Sequence, residues 1–203
     1  MDLLEARAGT PPSGVKLLET YAQLNILDQL PIAFGAWEVW SAEVFESHRA
    51  YPILPFFRST LENNSWISAL GAMLDACTLL LTTVKSDDYG AARLLYSIGC
   101  RVVLDLNRLF DLCASESVGV EREQFEQALA CLARAGFQMR DSESAWHSFA
   151  QMRSAYGGAL NALVKYFATP PTHWIGHHAT MPYPHYSRRP QSTTQRHTSE
   201  RED

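Results

Sequence analysis

The stretch WEVWSAEVFESHRAYP, residues 37–52, sets a histidine inside an aromatic seam. At 100° per residue, Trp37, Trp40, Val44, His48 and Tyr51 fall on one stripe of a helix, with Glu43 and Ser47 on its flank. Such a histidine is either a hydrogen-bonding residue of a core or part of a site. A second oddity is Asp75, the only charged residue between Trp66 and Val84. It shares a narrow stripe with Ser68, Gly71, Thr78 and Thr82. A stripe facing water would carry Lys or Glu, so this one is expected to lie under another element. A buried carboxylate is costly unless paired or protonated, and Asp75 therefore predicts a partner. It is either half of a structural ion pair or a pocket residue with a shifted pKa. The third oddity is RLLYSIGCRVVLDLNRLFDL, where Arg93, Ser97, Arg101, Asp105 and Arg108 share a face and Arg101 and Asp105 are four residues apart. That face reads as solvated, or as the wall of a charged network if it meets Asp75 and His48. Arg58, just after YPILPFF, could join it. The expected buried polar centre is Glu43, His48, Arg58, Asp75, Arg101 and Asp105.

The familiar catalytic spacings are missing. Di-iron bundles need Glu-x-x-His and zinc proteases need H-E-x-x-H, and the chain has neither. It has no glycine-rich dinucleotide or phosphate loop and no G-x-S-x-G. Ser47 and His48 are adjacent, so on a helix they diverge by 100° and cannot act as nucleophile and base. His173 and His177 are spaced for a metal on a helix, but their surroundings are rich in proline, and any binding there is expected to be adventitious. Cys77, Cys100, Cys113 and Cys131 form no C-x-x-C pair and lie in apolar, helix-like segments. They read as small buried hydrophobes in a reducing cytosol. No catalytic residue, metal or cofactor is expected.

The elements that must position these residues are helical. Pro11 and Pro12 precede a helix from about Ser13 to Gln29, ended by Leu30-Pro31. A second runs from about Phe34 to Ala50. Asn63 or Asn64 caps a third, 65–84, and Asp87 or Asp88 a fourth, about 89–114. A fifth spans about Glu121 to Ala135 and ends at Gly136, and Asp141 or Ser142 caps a sixth reaching about Ala168. Strand alternation and internal repeats are absent. The expectation is an all-α, antiparallel bundle of about six helices over residues 13–176. Residues 1–12 are expected to be flexible and 177–203 to be a largely disordered tail rich in Pro, His, Ser and Thr, with HWIG able to pack on the bundle. Neighbouring apolar stripes predict that Trp37, Trp40, Trp66 and Tyr51 are largely buried.

The 203 residues suffice for one domain with a sizeable core. At 46% hydrophobic and 19% charged the chain is ordinary globular material, and a formal charge of −5 argues against a nucleic-acid partner. The apolar run Trp66 to Val84 contains Asp75 and several small and hydroxyl residues. It reads as a core helix, with no membrane insertion by this chain. MDLLEARAGTPP lacks a basic end followed by an apolar run, so no signal peptide is expected and the location is cytoplasmic.

Two runs carry a family resemblance. Trp37, Glu38, Trp40, Ala42, Glu43, Glu46, Ser47, His48, Tyr51, Pro52, Leu54, Phe57, Arg58 and Ser59 fit one pattern. Asn64, Ser65, Trp66, Ala69, Leu70, Ala72, Leu74 and Asp75 fit a second. Together they resemble the cytoplasmic helical region that follows the pore in bacterial two-transmembrane potassium-channel-family proteins. Arg101, Val103, Asp105 and Leu106 give a weaker echo with altered spacing, and PPTHWI is similar to that family's C-terminal proline–tryptophan segment. The resemblance covers roughly residues 15 to 176. This chain carries no pore helix pair and no TVGYG-like filter. The resemblance implies a regulatory or assembly module without a pore of its own, at the inner face of the plasma membrane if paired with a channel. Its expected partners are a membrane channel subunit or copies of itself. The alternatives are a small-molecule sensor or enzyme using the polar cluster, and a purely structural interaction domain.

Overall fold

The computed structural model describes residues 2–51, 65–85, 89–113, 119–167 and 174. These residues form α1 (Asp2–Ala8), α2 (Gly14–Gln23), a 3-10 turn (Leu27–Gln29), α3 (Leu30–Ala50), α4 (Trp66–Thr83), α5 (Gly90–Leu109), α6 (Arg122–Arg134) and α7 (Ser142–Tyr166). The all-α expectation holds. The tail expected beyond residue 176 lies outside the described residues.

Local chemistry sets most of the boundaries. The Ser13 side chain caps α2 by accepting from the Lys16 amide, and Asp141 caps α7 by accepting from the Ser144 amide at 3.1 Å. Glu121 and Gln124 form a reciprocal capping box at the start of α6, and Gly136, with φ +100°, follows its end. Two boundaries differ from expectation. Leu30-Pro31 does not end a helix but begins α3, because in the first turn the missing proline N–H costs nothing. Asn25, with φ +56°, instead follows the end of α2. Residues expected as a flexible N-terminus include α1, whose Leu4 and Ala8 are buried in the core. Asn63 and Asn64, the expected caps of α4, lie outside the described residues, and Ser65 takes the N-cap position.

Helix α4 is the hub. Fifteen of its eighteen residues are buried, and it packs against α2, α5 and α7. It is long and apolar enough to cross a membrane by length and composition, but here its faces are covered by protein. Two close approaches bring the neighbours in. A Cβ on Gly14 would stand 2.6 Å from both the Ala72 carbonyl oxygen and the Ala76 nitrogen, so the first turn of α2 rests on the backbone of α4. A Cβ on Gly71 would stand 2.9 Å from Leu160, which seats α7 on the opposite flank of that stripe. An isolated antiparallel bridge joins Val84 to Met139, with Lys85 N–H donating to the Gln138 carbonyl at 2.8 Å and Arg140 N–H to that of Thr83 at 2.7 Å. It ties the link after α4 to the link before α7.

Helix α3 is peripheral. It packs on α5 and buries only Leu30, Phe34, Ser41 and His48. Trp37 and Trp40 meet edge to face at 4.5 Å but stay partly exposed, as does Trp66. Tyr51, expected in the core, is 64% exposed because it lies beyond the last helical turn, where the backbone leaves the seam.

Two glycines give a paired test of this packing. Gly14→Ala forces a methyl into backbone atoms that cannot rotate away, and should cost about 1–3 kcal/mol or more. Gly35→Ala, on a helix with nothing within 4 Å of the new carbon, should raise stability by about 0.4–1 kcal/mol. Urea unfolding of both variants measures the contrast, and equal effects would contradict the close seating of α2 on α4.

Candidate functional site

Asp75 is 8% exposed, and its carboxylate meets donors from two parts of the chain. Oδ1 accepts from Arg153 Nε at 3.1 Å and from the Tyr156 hydroxyl at 2.5 Å, both on α7. Oδ2 accepts from the indole Nε1 of Trp174 at 3.1 Å. Trp174 is held from a second side, where Ser13 Oγ, at the N-cap of α2, donates to its carbonyl at 2.8 Å. Its ring meets Phe149 edge to face at 5.5 Å. The stripe of small and hydroxyl residues on α4 is thus covered, as expected, and the cover is α7.

Arg153 and Tyr156 stand three residues apart, on one face of α7. The Tyr156 side chain is fully buried. Burial first, and then the charge of Asp75, push its phenol well above the usual 10.0, so it stays protonated and donates. Burial alone would pull the Arg153 guanidinium down, but Asp75 and Tyr156 outweigh it and leave the pKa raised. The pair is therefore ionic, with one neutral donor added. A carboxylate removed from water is tolerated on those terms.

Beside this junction lies a cavity of about 370 Å³. Asp75, Arg153 and Trp174 line it together with the side-chain amide of Asn161, and Ile67, Leu160 and Val164 supply apolar wall. Its size is that of a small-molecule site. Among the described residues, no group of three His, Cys, Asp or Glu side chains could hold a metal ion.

The structure does not bring together the five described residues of the six expected at the polar centre. His48 is enclosed, but in an aromatic cluster, with ring centroids 5.1 Å from Trp66, 6.0 Å from Phe167 and 6.2 Å from Phe110. Its Nδ1 lies 2.8 Å from the Val44 carbonyl of its own helix. A carbonyl only accepts, so Nδ1 carries the proton. Asp75 is nine residues beyond Trp66 on α4, about 13 Å further along at 1.5 Å per residue. Glu43 is exposed on the outer flank of α3. Arg101 is exposed as well, and Asp105 pairs with Arg108 at 2.7 Å instead, because α5 turns this face to solvent. Arg58 lies outside the described residues. Of the five that are described, Asp75 alone lines the cavity.

The cysteine expectation also divides. Cys77 and Cys131 are buried, Cys100 is partly buried and Cys113 is exposed at the end of α5. Burial pushes the Cys100 thiol up to about 11 despite a hydrogen bond with Tyr96.

Sequence reasoning missed Arg153, Tyr156 and Trp174 as partners of Asp75, and Ser13 as the partner of Trp174. One signal was available. Arg153, Tyr156, Gly157 and Leu160 follow i, i+3, i+4, i+7 spacing, which puts a guanidinium in an otherwise buried stripe. No family model, curated protein or solved structure matches the chain.

Two measurements follow from the junction. Asp75→Ala leaves Arg153 without its counter-ion and should cost about 3–5 kcal/mol, whereas Asp105→Ala breaks an exposed pair and should cost under about 1 kcal/mol. Denaturant unfolding separates the two, and similar losses would contradict the junction. The second concerns alkali. The Tyr156 phenol keeps its proton in the folded state above the ordinary 10.0, while the unfolded chain gives it up. Stability is then full below pH 10 and falls above it, by about 1.4 kcal/mol per pH unit for this group. Tyr156→Phe should lower the slope by that amount in unfolding measured from pH 9 to 11.5, the remainder coming from the raised Tyr96, Cys77 and Cys100. An unchanged slope would show that Tyr156 contributes nothing to it.

Proposed function

We propose that this chain is a regulatory helical module whose input is a small molecule held in the Asp75 cavity. The observation that carries the reading is the position of the buried ion pair. Asp75 and Arg153 form part of the cavity wall, and the same carboxylate holds Trp174. A ligand that hydrogen-bonds to either charged group changes the donors available to Asp75. The hold on α7 and on Trp174 changes with it, and through Ser13 the start of α2 responds. On this reading a ligand that favours one set of these hydrogen bonds over another shifts the balance between them, which is what regulation requires. The cavity also speaks against the purely structural reading, for which a filled core would serve.

The resemblance of residues 37–59 and 64–75 to the cytoplasmic region of potassium-channel-family proteins supplies the second half of the proposal. On that reading the partner is a channel subunit or a second copy of the chain, and the module works at the inner face of the plasma membrane. The resemblance stands alone, since the comparisons lend it no support.

The indole N–H of Trp174 is a built-in reporter. In ¹⁵N spectra of the full chain its resonance is identified by its loss in Trp174→Phe. Screening a library of small polar molecules should find compounds that shift this resonance saturably. Ser68→Phe, which places a ring at the cavity wall, should abolish the response while the helical circular dichroism is kept. A library that never moves the resonance, or moves it equally in Ser68→Phe, would count against a ligand site here.

A further inference from the structure

We infer that the ligand of the cavity is a small organic monocarboxylate with an apolar body, an inference that rests on the cavity being a ligand site. Three observations carry it. The first is a surplus of donors. Arg153 uses only Nε for Asp75, and among the described residues its two Nη groups make no hydrogen bond. The Asn161 side chain, also at the wall, makes none either. The Asp75 carboxylate itself is close to full, because it already takes three donors and a carboxylate offers about four sites. The Asn161 amide can turn its N–H group or its oxygen to a ligand. A ligand rich in acceptors and poor in donors completes the set. The planar fork of an arginine fits a carboxylate better than a hydroxyl or an ammonium group.

The second observation is charge. Among the described residues, Asp75 and Arg153 are the only charged side chains at the wall, and they cancel. The first turn of α2 also opens here, at Ser13 and Gly14, with no acidic residue to offset it. It adds roughly half a positive charge. The corresponding start of α6 is answered by its own Glu121 cap and adds little. One negative charge can be accommodated on that balance, and two cannot, which disfavours phosphate esters. The third observation is the apolar part of the wall. Ile67, Leu160 and Val164 suit a short branched, linear or aromatic hydrocarbon. A volume of about 370 Å³ leaves room for such a body and little more.

The test uses matched probes on the full chain at pH 7.5. Phenylacetate, 4-methylpentanoate and hexanoate are compared by calorimetry with their own amides and with benzyl phosphate. At least one carboxylate should bind with a Kd below a millimolar, tenfold or more tighter than its amide and than benzyl phosphate, and should shift the Trp174 indole resonance. Arg153→Lys keeps a cation beside Asp75 but loses the fork, and should weaken the carboxylate at least tenfold. If that variant fails to fold, Asn161→Ala, at a partly exposed position, should weaken it at least threefold. Amides binding as tightly as carboxylates while moving the Trp174 resonance would overturn the monocarboxylate inference and leave the cavity as a ligand site. Tighter binding of benzyl phosphate would overturn it in the same way. Silence from every compound would overturn both this inference and the ligand site.

Discussion

A carboxylate on a helix cannot satisfy itself. The other polar side chains buried on α3 and α4 do so by turning back to a carbonyl four residues earlier. Ser41 bonds to the Trp37 carbonyl, His48 to that of Val44, Thr78 to Leu74, Thr82 to Thr78 and Thr83 to Leu79. Each is a donor, and each is content wherever its helix goes. Asp75 is acceptor-only, and the helix offers it only carbonyls. Its donors must come from elsewhere, and in the most buried helix of the chain they must arrive with great economy of space. Much of the arrangement around α4 answers that one demand.

The answer depends on close approach. Arg153 and Tyr156 reach Asp75 because α7 can settle on α4 at Gly71, where any side chain would meet Leu160. Ser13 reaches Trp174 because Gly14 lets α2 lie against the α4 backbone. A second polar crossing fixes α7 at another height, where Asn107 on α5 donates to the Ala159 carbonyl at 2.8 Å. Two polar anchors at different levels hold the register of α7 more firmly than apolar packing, which tolerates sliding. The same small residues that permit the approach leave the space between the helices that becomes the cavity.

How much of this was legible in the sequence depends on range. Helix limits set by a nearby residue, such as the Asp141 cap and Gly136, could be read directly. So could the demand of Asp75 for a partner, because it follows from a lone charge in an apolar run. Its partners could not be read, since they lie 78, 81 and 99 residues away and nothing local ties them to α4. The expected cluster failed for a related reason. His48 and Arg101 look equally anomalous on a helical wheel, but a wheel gives a direction and not a neighbour. One of them faces aromatic rings and the other faces water. Leu30-Pro31 failed by polarity, because proline marks the start of a helix as readily as the sequel to one.

The contrast between His48 and Asp75 bears on where function can sit. His48 has its proton placed by its own helix and its ring placed by three aromatic neighbours, so moving it requires disturbing a packed core. Little outside that cluster depends on it. Asp75 is joined to Arg153, Tyr156 and Trp174, and through Trp174 to Ser13. These groups belong to α2, α4, α7 and the segment beyond α7, and a change in any one hydrogen bond redistributes the rest. A buried group with only local partners stabilises. A buried group whose partners are all distant also couples, because its satisfaction is shared among elements far apart in sequence. The cavity opens on the second kind of group, and that placement makes it a site from which the rest of the bundle can be influenced.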